Sequence, residues 1–229
     1  MVGFGQSAKP DNPNYYEING FSKFILDFIE TIGIKDKISI VGHSLGGYVA
    51  AQVAIDNKER IEKLVLIDSS GLLEKPTLLL EQYLDAAMEL EPILRYKKLE
   101  RVLSGIYANP SFLPPFVVEK FIETIIEEGA RSAFKKAYEN STTTQIKPEG
   151  LKQIQDIPCL IIWGKEDRLI PIKYCEKFKE KLSEIEAKAK YEVIERAGHA
   201  PFVEWTALIY QKLSTFLMKD DHMKYSDMY

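Results

Sequence analysis

Four short apolar runs, separated by segments of helical spacing, set the rhythm of the chain. Residues 37–41 alternate β-branched and small side chains over strand length. Residues 63–68 and 158–163 are nearly continuous apolar runs, the pattern of parallel strands covered on both faces. Residues 191–194 form a fourth, shorter strand. Between them lie helices. In residues 16–32, Ile18, Phe21, Phe24, Ile25, Phe28 and Ile29 fall on one helical face, and Gly33 is placed to end it. Further helices are expected to run to about residue 57, from Pro171 to about residue 182, and over residues 201–217. Alternating strand and helix predicts an α/β fold with a mostly parallel sheet of about four strands and right-handed crossovers.

Residues 72–157 break that rhythm. Helix-like segments at 78–90, 97–107, 116–128 and 130–139 follow one another, interrupted by Asn109-Pro110 and Pro114-Pro115, and no strand pattern stands out. The stretch is too long for an ordinary crossover between two parallel strands. It predicts a helical cap inserted over the carboxyl ends of the strands, giving a core of residues 1–71 and 158–229 and a cap and linker of residues 72–157. Leu78, Leu79, Tyr83, Tyr96, Ile106, Tyr107, Phe112, Phe116 and Phe121 either line an acyl or alkyl pocket or pack the cap helices together. Residues 218–229 are polar, carry both charge signs and are expected to fray.

Composition narrows the classes. The 229 residues carry a net charge of −4 with 45% hydrophobic content, enough for a buried core. The acidic balance and the lack of a basic stripe argue against nucleic acid as a partner. No apolar run reaches transmembrane length and no leader pattern stands out, so neither a membrane nor a secretory route is expected. Cys159 falls inside an apolar strand and Cys175 is the only other cysteine. A disulfide is not expected, and a reducing, cytoplasmic setting is. No metal-ligand spacing is present, and neither a metal nor a cofactor is expected.

The chemistry concentrates at strand ends. Gly42-His43-Ser44-Leu45-Gly46 is a G-x-S-x-G pattern between a strand and a helix. It presents a serine on a strained turn, where glycines two positions either side leave room, and aims the Leu45 N–H at a developing oxyanion. Roughly one chain in ten of this length holds the pattern by chance, so partners decide its meaning. Of the three histidines, His43 should point away from Ser44 Oγ and His222 lies in the tail. That leaves His199, in a loop after the fourth strand. Asp167, in a Gly-x-x-Asp turn after the third strand, is the favoured acid. Asp68 could reach the same histidine, Glu166 is adjacent, and Asp167 could instead cap the following helix. The order Ser44, Asp167, His199 suits a nucleophile, its orienting acid and its base. Glu204 is read as a brace for the histidine loop. Arg131 could bind a substrate carboxylate, against the blander reading of a solvated helix residue.

Together these motifs resemble the α/β-hydrolases of the capped, esterase-like branch. Residues 41–47 resemble that family's nucleophile elbow, residues 162–167 with Pro171 its acid turn, and residues 198–201 with Glu204 its histidine loop. Gly3-Phe4-Gly5-Gln6-Ser7 is similar to the loop after the family's fourth strand. The resemblance implies a serine hydrolase cleaving a small or medium carboxylic ester through an acyl-enzyme. Thioesterase, lactonase, carbon–carbon bond hydrolase and aminopeptidase activities are also open. The family's earlier strands and its His-Gly oxyanion loop have no counterpart in this sequence. An amino-terminally truncated product, or a start-site error, with little activity is therefore expected, and a non-catalytic remnant or binding module is the rival reading. The elbow strand is also expected to lack a partner on one side and to invite self-association.

Overall fold

The computed structural model describes residues 1–218. Its centre is a four-stranded parallel sheet of β1 (Ile38–His43), β2 (Ile61–Ile67), β3 (Cys159–Gly164) and β4 (Ala189–Ile194), in that spatial order. The two middle strands are buried along almost their whole length, as unalternating apolar sequences require. Side-chain period splits their residues between two cores. Leu64, Leu66, Ile161 and Trp163 face helices α1 (Ile18–Thr31), α2 (Leu45–Asp56) and α8 (Lys173–Glu184). Val65, Ile67, Leu160 and Ile162 face α10 (Thr206–Leu217).

Between β2 and β3 the chain makes five helices: α3 (Leu78–Met88), α4 (Pro92–Gly105), α5 (Pro115–Ile125), α6 (Ala130–Thr143) and α7 (Pro148–Gln153). Each of α4, α5 and α7 has proline in its first turn, where the missing N–H costs nothing. A small apolar core of Ala86, Leu99, Val102, Leu103 and Val118 joins α3, α4 and α5.

Three local expectations need correction. The short helix α7 carries too little apolar periodicity to be read from sequence. Pro171 does not open α8, which begins at Lys173; instead its carbonyl accepts from Tyr174 N–H. The last helix is broken. α9 (Pro201–Glu204) ends at Trp205, whose backbone leaves the helical region (φ −133°, ψ 47°) before α10 begins. The indole N–H of Trp205 donates to the Arg196 carbonyl, which holds the break open. The polar tail beyond Met218, including His222, lies outside the described residues.

Candidate active site

Every strand delivers one residue of interest just past its carboxyl end: Ser44 after β1, Asp68 after β2, Asp167 after β3 and His199 after β4. That rim is where an open parallel sheet gathers ligands.

The turn at Ser44 is strained. Ser44 has φ 55° and ψ −123°, a conformation that a non-glycine residue holds only when its surroundings impose it. Those surroundings are hydrogen bonds to the end of β2: Ser44 N–H donates to the Ile67 carbonyl, and Ser70 N–H donates to the Ser44 carbonyl. A Cβ on Gly42 would collide with the Gly46 carbonyl, so glycine is obligatory there. Gly46 itself faces open space, contrary to expectation, and the second crowded position is Gly47, which packs against Ser69. Among the described residues nothing accepts from the Leu45 or Gly46 backbone N–H, leaving both free at the amino end of α2.

His199 is buried, and its Nδ1–H donates to Asp167 Oδ2 at 2.7 Å. The ring's Nε2 is thereby left as the acceptor in the neutral form. The other carboxylate oxygen of Asp167 accepts from Leu169 N–H at 2.8 Å and Ile170 N–H at 2.9 Å. Asp167 thus bonds the His199 imidazole and caps a turn at once, and that turn precedes α8 rather than starting it. Glu166 is exposed. No hydrogen bond joins Ser44 Oγ to His199 among the described residues; such contacts are often long before substrate binds.

Glu204 braces the histidine loop. One oxygen accepts from Gly198 N–H at 2.6 Å, and the other from Ala108 and Asn109 N–H at 2.8 and 3.3 Å. His199 N–H donates to the Ile106 carbonyl, so the same loop is tied twice to the segment after α4. His43 was missed as a member of this assembly. Its ring packs 4.6 Å from that of His199, and its Nε2–H donates to the His199 carbonyl at 2.6 Å. A carbonyl only accepts, so this contact fixes the His43 tautomer. Desolvation, with repulsion from His199, pushes its pKa down to about 3.

A cavity of about 180 Å³ opens onto Ser44 and Leu45. Phe4 from the amino-terminal loop, Leu80 and Tyr83 from α3, and Phe134, Ala137 and Tyr138 from α6 contribute to its walls, and no lining side chain is charged. Of the nine residues suggested for a pocket, Tyr83 alone lines this cavity. Leu78, Phe112 and Phe116 are exposed, and Leu79, Tyr96, Ile106 and Phe121 pack around the core of α3, α4 and α5. The helix that shapes the cavity is α6, which lines it with a mixed face of Phe134, Ala137, Tyr138, Ser141 and Thr142 rather than a continuous apolar stripe. Arg131 does not line it; the guanidinium donates to the Glu89 carbonyl. Burial keeps the Tyr83 hydroxyl protonated by raising its pKa.

Asp68, Asp167 and His199 form the one cluster of candidate metal-ligating side chains found among the described residues. Asp167 and His199 bond each other, and one oxygen of each carboxylate accepts from backbone N–H groups. Both cysteines are buried and unpaired, and no helix among the described residues is long and apolar enough to cross a membrane.

Comparison with known proteins follows the same lines. The model of the alpha/beta hydrolase fold family matches residues 1–205. The chain is 27% identical over 215 residues to the 2-hydroxy-6-oxo-6-(2'-aminophenyl)hexa-2,4-dienoic acid hydrolase of Metapseudomonas resinovorans, covering 89% of this chain and 67% of that protein. It is 25% identical over 208 residues to Lipase 1 of Psychrobacter immobilis, covering 89% and 62%. The chain therefore spans about two thirds of the length of these curated relatives. Among solved structures, the 2-hydroxy-6-oxo-6-phenylhexa-2,4-dienoate hydrolase of Rhodococcus sp. strain RHA1 superposes with a TM-score of 0.80 at 22% identity, covering 96% of this chain and 78% of that one.

Proposed function

The chain belongs to the alpha/beta hydrolase fold family, and from that premise we propose that it is a serine hydrolase acting on an uncharged ester of small or medium size. The single observation that supports this most is the buried His199–Asp167 hydrogen bond, on the same sheet rim as a serine held in a strained strand-to-helix turn. His199 Nε2 takes the Ser44 proton as Oγ attacks the carbonyl carbon. Asp167 holds the imidazole in the required tautomer and stabilises the imidazolium. The Leu45 N–H receives the oxyanion. Collapse of the tetrahedral intermediate breaks the bond to the alcohol, which leaves with the proton from His199. Water then releases the acid by the same steps in reverse.

Residues 72–157 act as the cap, with α3 and α6 forming the acyl pocket. The relatives include a hydrolase of a dienoic acid and a lipase, so bond type is decided by the pocket. Its uncharged lining and the engagement of Arg131 elsewhere favour a neutral acyl group over one bearing a carboxylate. Two buried, unpaired thiols fit a reducing, cytoplasmic setting. The rival reading, a binding module without turnover, draws on the unformed contact between Ser44 and His199.

One experiment separates them. The purified chain should be labelled at Ser44 by a fluorophosphonate, with labelling lost in Ser44→Ala and reduced about 10²-fold or more in His199→Ala. It should hydrolyse a butyryl aryl ester faster than the succinyl ester of the same alcohol. A folded chain that takes no label supports the binding module, and a preference for the succinyl ester overturns the proposed substrate class.

A further inference from the structure

Asp68, the residue that β2 delivers to the rim, has no role in the mechanism above. It is completely buried and sits at a positive φ of 43°. Its Oδ1 accepts from Gly164 N–H at 2.8 Å, while Oδ2 has no hydrogen-bond partner. The reactive atoms of Asp68, Asp167 and His199 all lie within 4.8 Å of one another. The groups that act on Asp68 electrostatically are the carboxylates of Asp167 and Glu204, and the Cys175 thiol on α8 also faces it. None of these supplies a positive charge, and the nearby His199 gains one only when it takes the Ser44 proton. Two ionised carboxylates in this space would repel each other in a medium that screens them poorly.

A count of lone pairs gives the resolution. A carboxylate offers about four acceptor positions. Asp167 fills three of them, with Leu169 N–H, Ile170 N–H and His199 Nδ1–H, and one position on its oxygens is open. Asp68 has one N–H donor and one orphaned oxygen. Of the two, Asp167 has much the stronger support for a negative charge. We propose that Asp68 is a neutral carboxylic acid in the resting protein, and that its O–H donates to Asp167 and completes the hydrogen-bond shell of the residue that orients His199. Burial, followed by the Asp167 charge, holds the Asp68 carboxyl well above the ordinary carboxylate range, in agreement with this assignment. Asp68 is a positioning residue: it acts on Asp167 and does not touch substrate. Its catalytic meaning rests on the proposed triad, but its protonation state does not.

Infrared difference spectroscopy at neutral pH reads the proton directly, whether or not the chain turns over substrate. Wild type should show a protonated-carboxyl C=O band that is missing from Asp68→Asn; identical spectra in this region overturn the proposal. The rate profile against pH reads the positioning. Asp68→Ala removes the donor, concentrates charge on Asp167, and should move the acid limb to higher pH. Asp68→Asn keeps an N–H donor toward Asp167 and an acceptor for Gly164, and should return the limb to the wild-type position. If Asp68 were ionised, Asp68→Asn would delete a negative charge beside His199 and move the limb to lower pH, which overturns the proposal. Should the alanine variant not fold, the asparagine comparison and the infrared band still decide.

Discussion

At the scale of single residues, His43 is the side chain whose environment departs furthest from what its sequence position suggests. Next to the serine, it spends its Nε2–H on the His199 carbonyl and packs at a tilt against that ring. It is therefore neutral in the folded protein, its pKa lowered from 6.5 to about 3 chiefly by desolvation. In the unfolded chain the imidazole binds its proton near 6.5, so between that value and about 3 the unfolded state holds the extra proton. The contribution is present in full above pH 6.5 and is lost as pH falls through that window. It should amount to about 5 kcal/mol over the whole window, of which about 3 kcal/mol is lost by pH 4. Denaturant unfolding of wild type and His43→Gln, measured at neutral pH and at pH 4, tests this. The variant should lose less stability on acidification than wild type, and equal losses would remove His43 from the account. No local pattern points to the contact, because it joins residues 156 positions apart. The turn motifs at Ser44, Asp167 and His199, by contrast, are legible in sequence because each is short and sits at a strand end, and the parallel topology sets those ends along one rim.

At the scale of elements, the loop before α9 and the segment after α4 are joined by one carboxylate. Glu204 accepts three backbone N–H groups, from Gly198, Ala108 and Asn109, and is itself buried. Glu204→Ala leaves those donors without a partner in the interior and should cost about 2–4 kcal/mol. It should also free the His199 loop, so that activity on a butyryl ester falls in proportion exceeding the unfolded fraction. Glu204→Gln keeps only one acceptor oxygen and should fall between. Chemical denaturation with activity measured on the same samples checks both, and an alanine variant as stable as wild type would show the brace to be idle. Sequence revealed the presence of this element and not its shape. A helix over residues 201–217 satisfied the apolar period, but the Trp205 indole and the Glu204 carboxylate find their partners only with the chain broken between them. The pocket was hidden for a related reason: α6 lines it with two aromatics, Phe134 and Tyr138, interleaved with alanine, serine and threonine, a mixed face that hydrophobic periodicity does not single out.

At the scale of the whole molecule, the sheet was the most legible feature and its edge the most consequential. Near-continuous apolar runs marked β2 and β3 as central strands, while the mixed pattern of β1 matches its place at the border. Val41 is 45% exposed, whereas Val65, its partner in register on β2, is fully buried. The reason is coverage: among the described residues, the apolar cluster under α10 draws on β2, β3 and β4 and includes no residue of β1. Among the described residues no strand pairs with the outer side of β1, which also carries an uncovered apolar side chain, the combination that promotes pairing between chains. Residues 1–218 taken alone should therefore self-associate through this edge. A lysine at position 41 would bring a charge to each side of any such pairing and leave β1 bound to β2. Sedimentation velocity over a concentration series should find wild type associating and Val41→Lys shifted toward monomer, with the far-ultraviolet circular dichroism unchanged. A wild-type chain that stays monomeric across the series would show that the edge is protected without a partner strand.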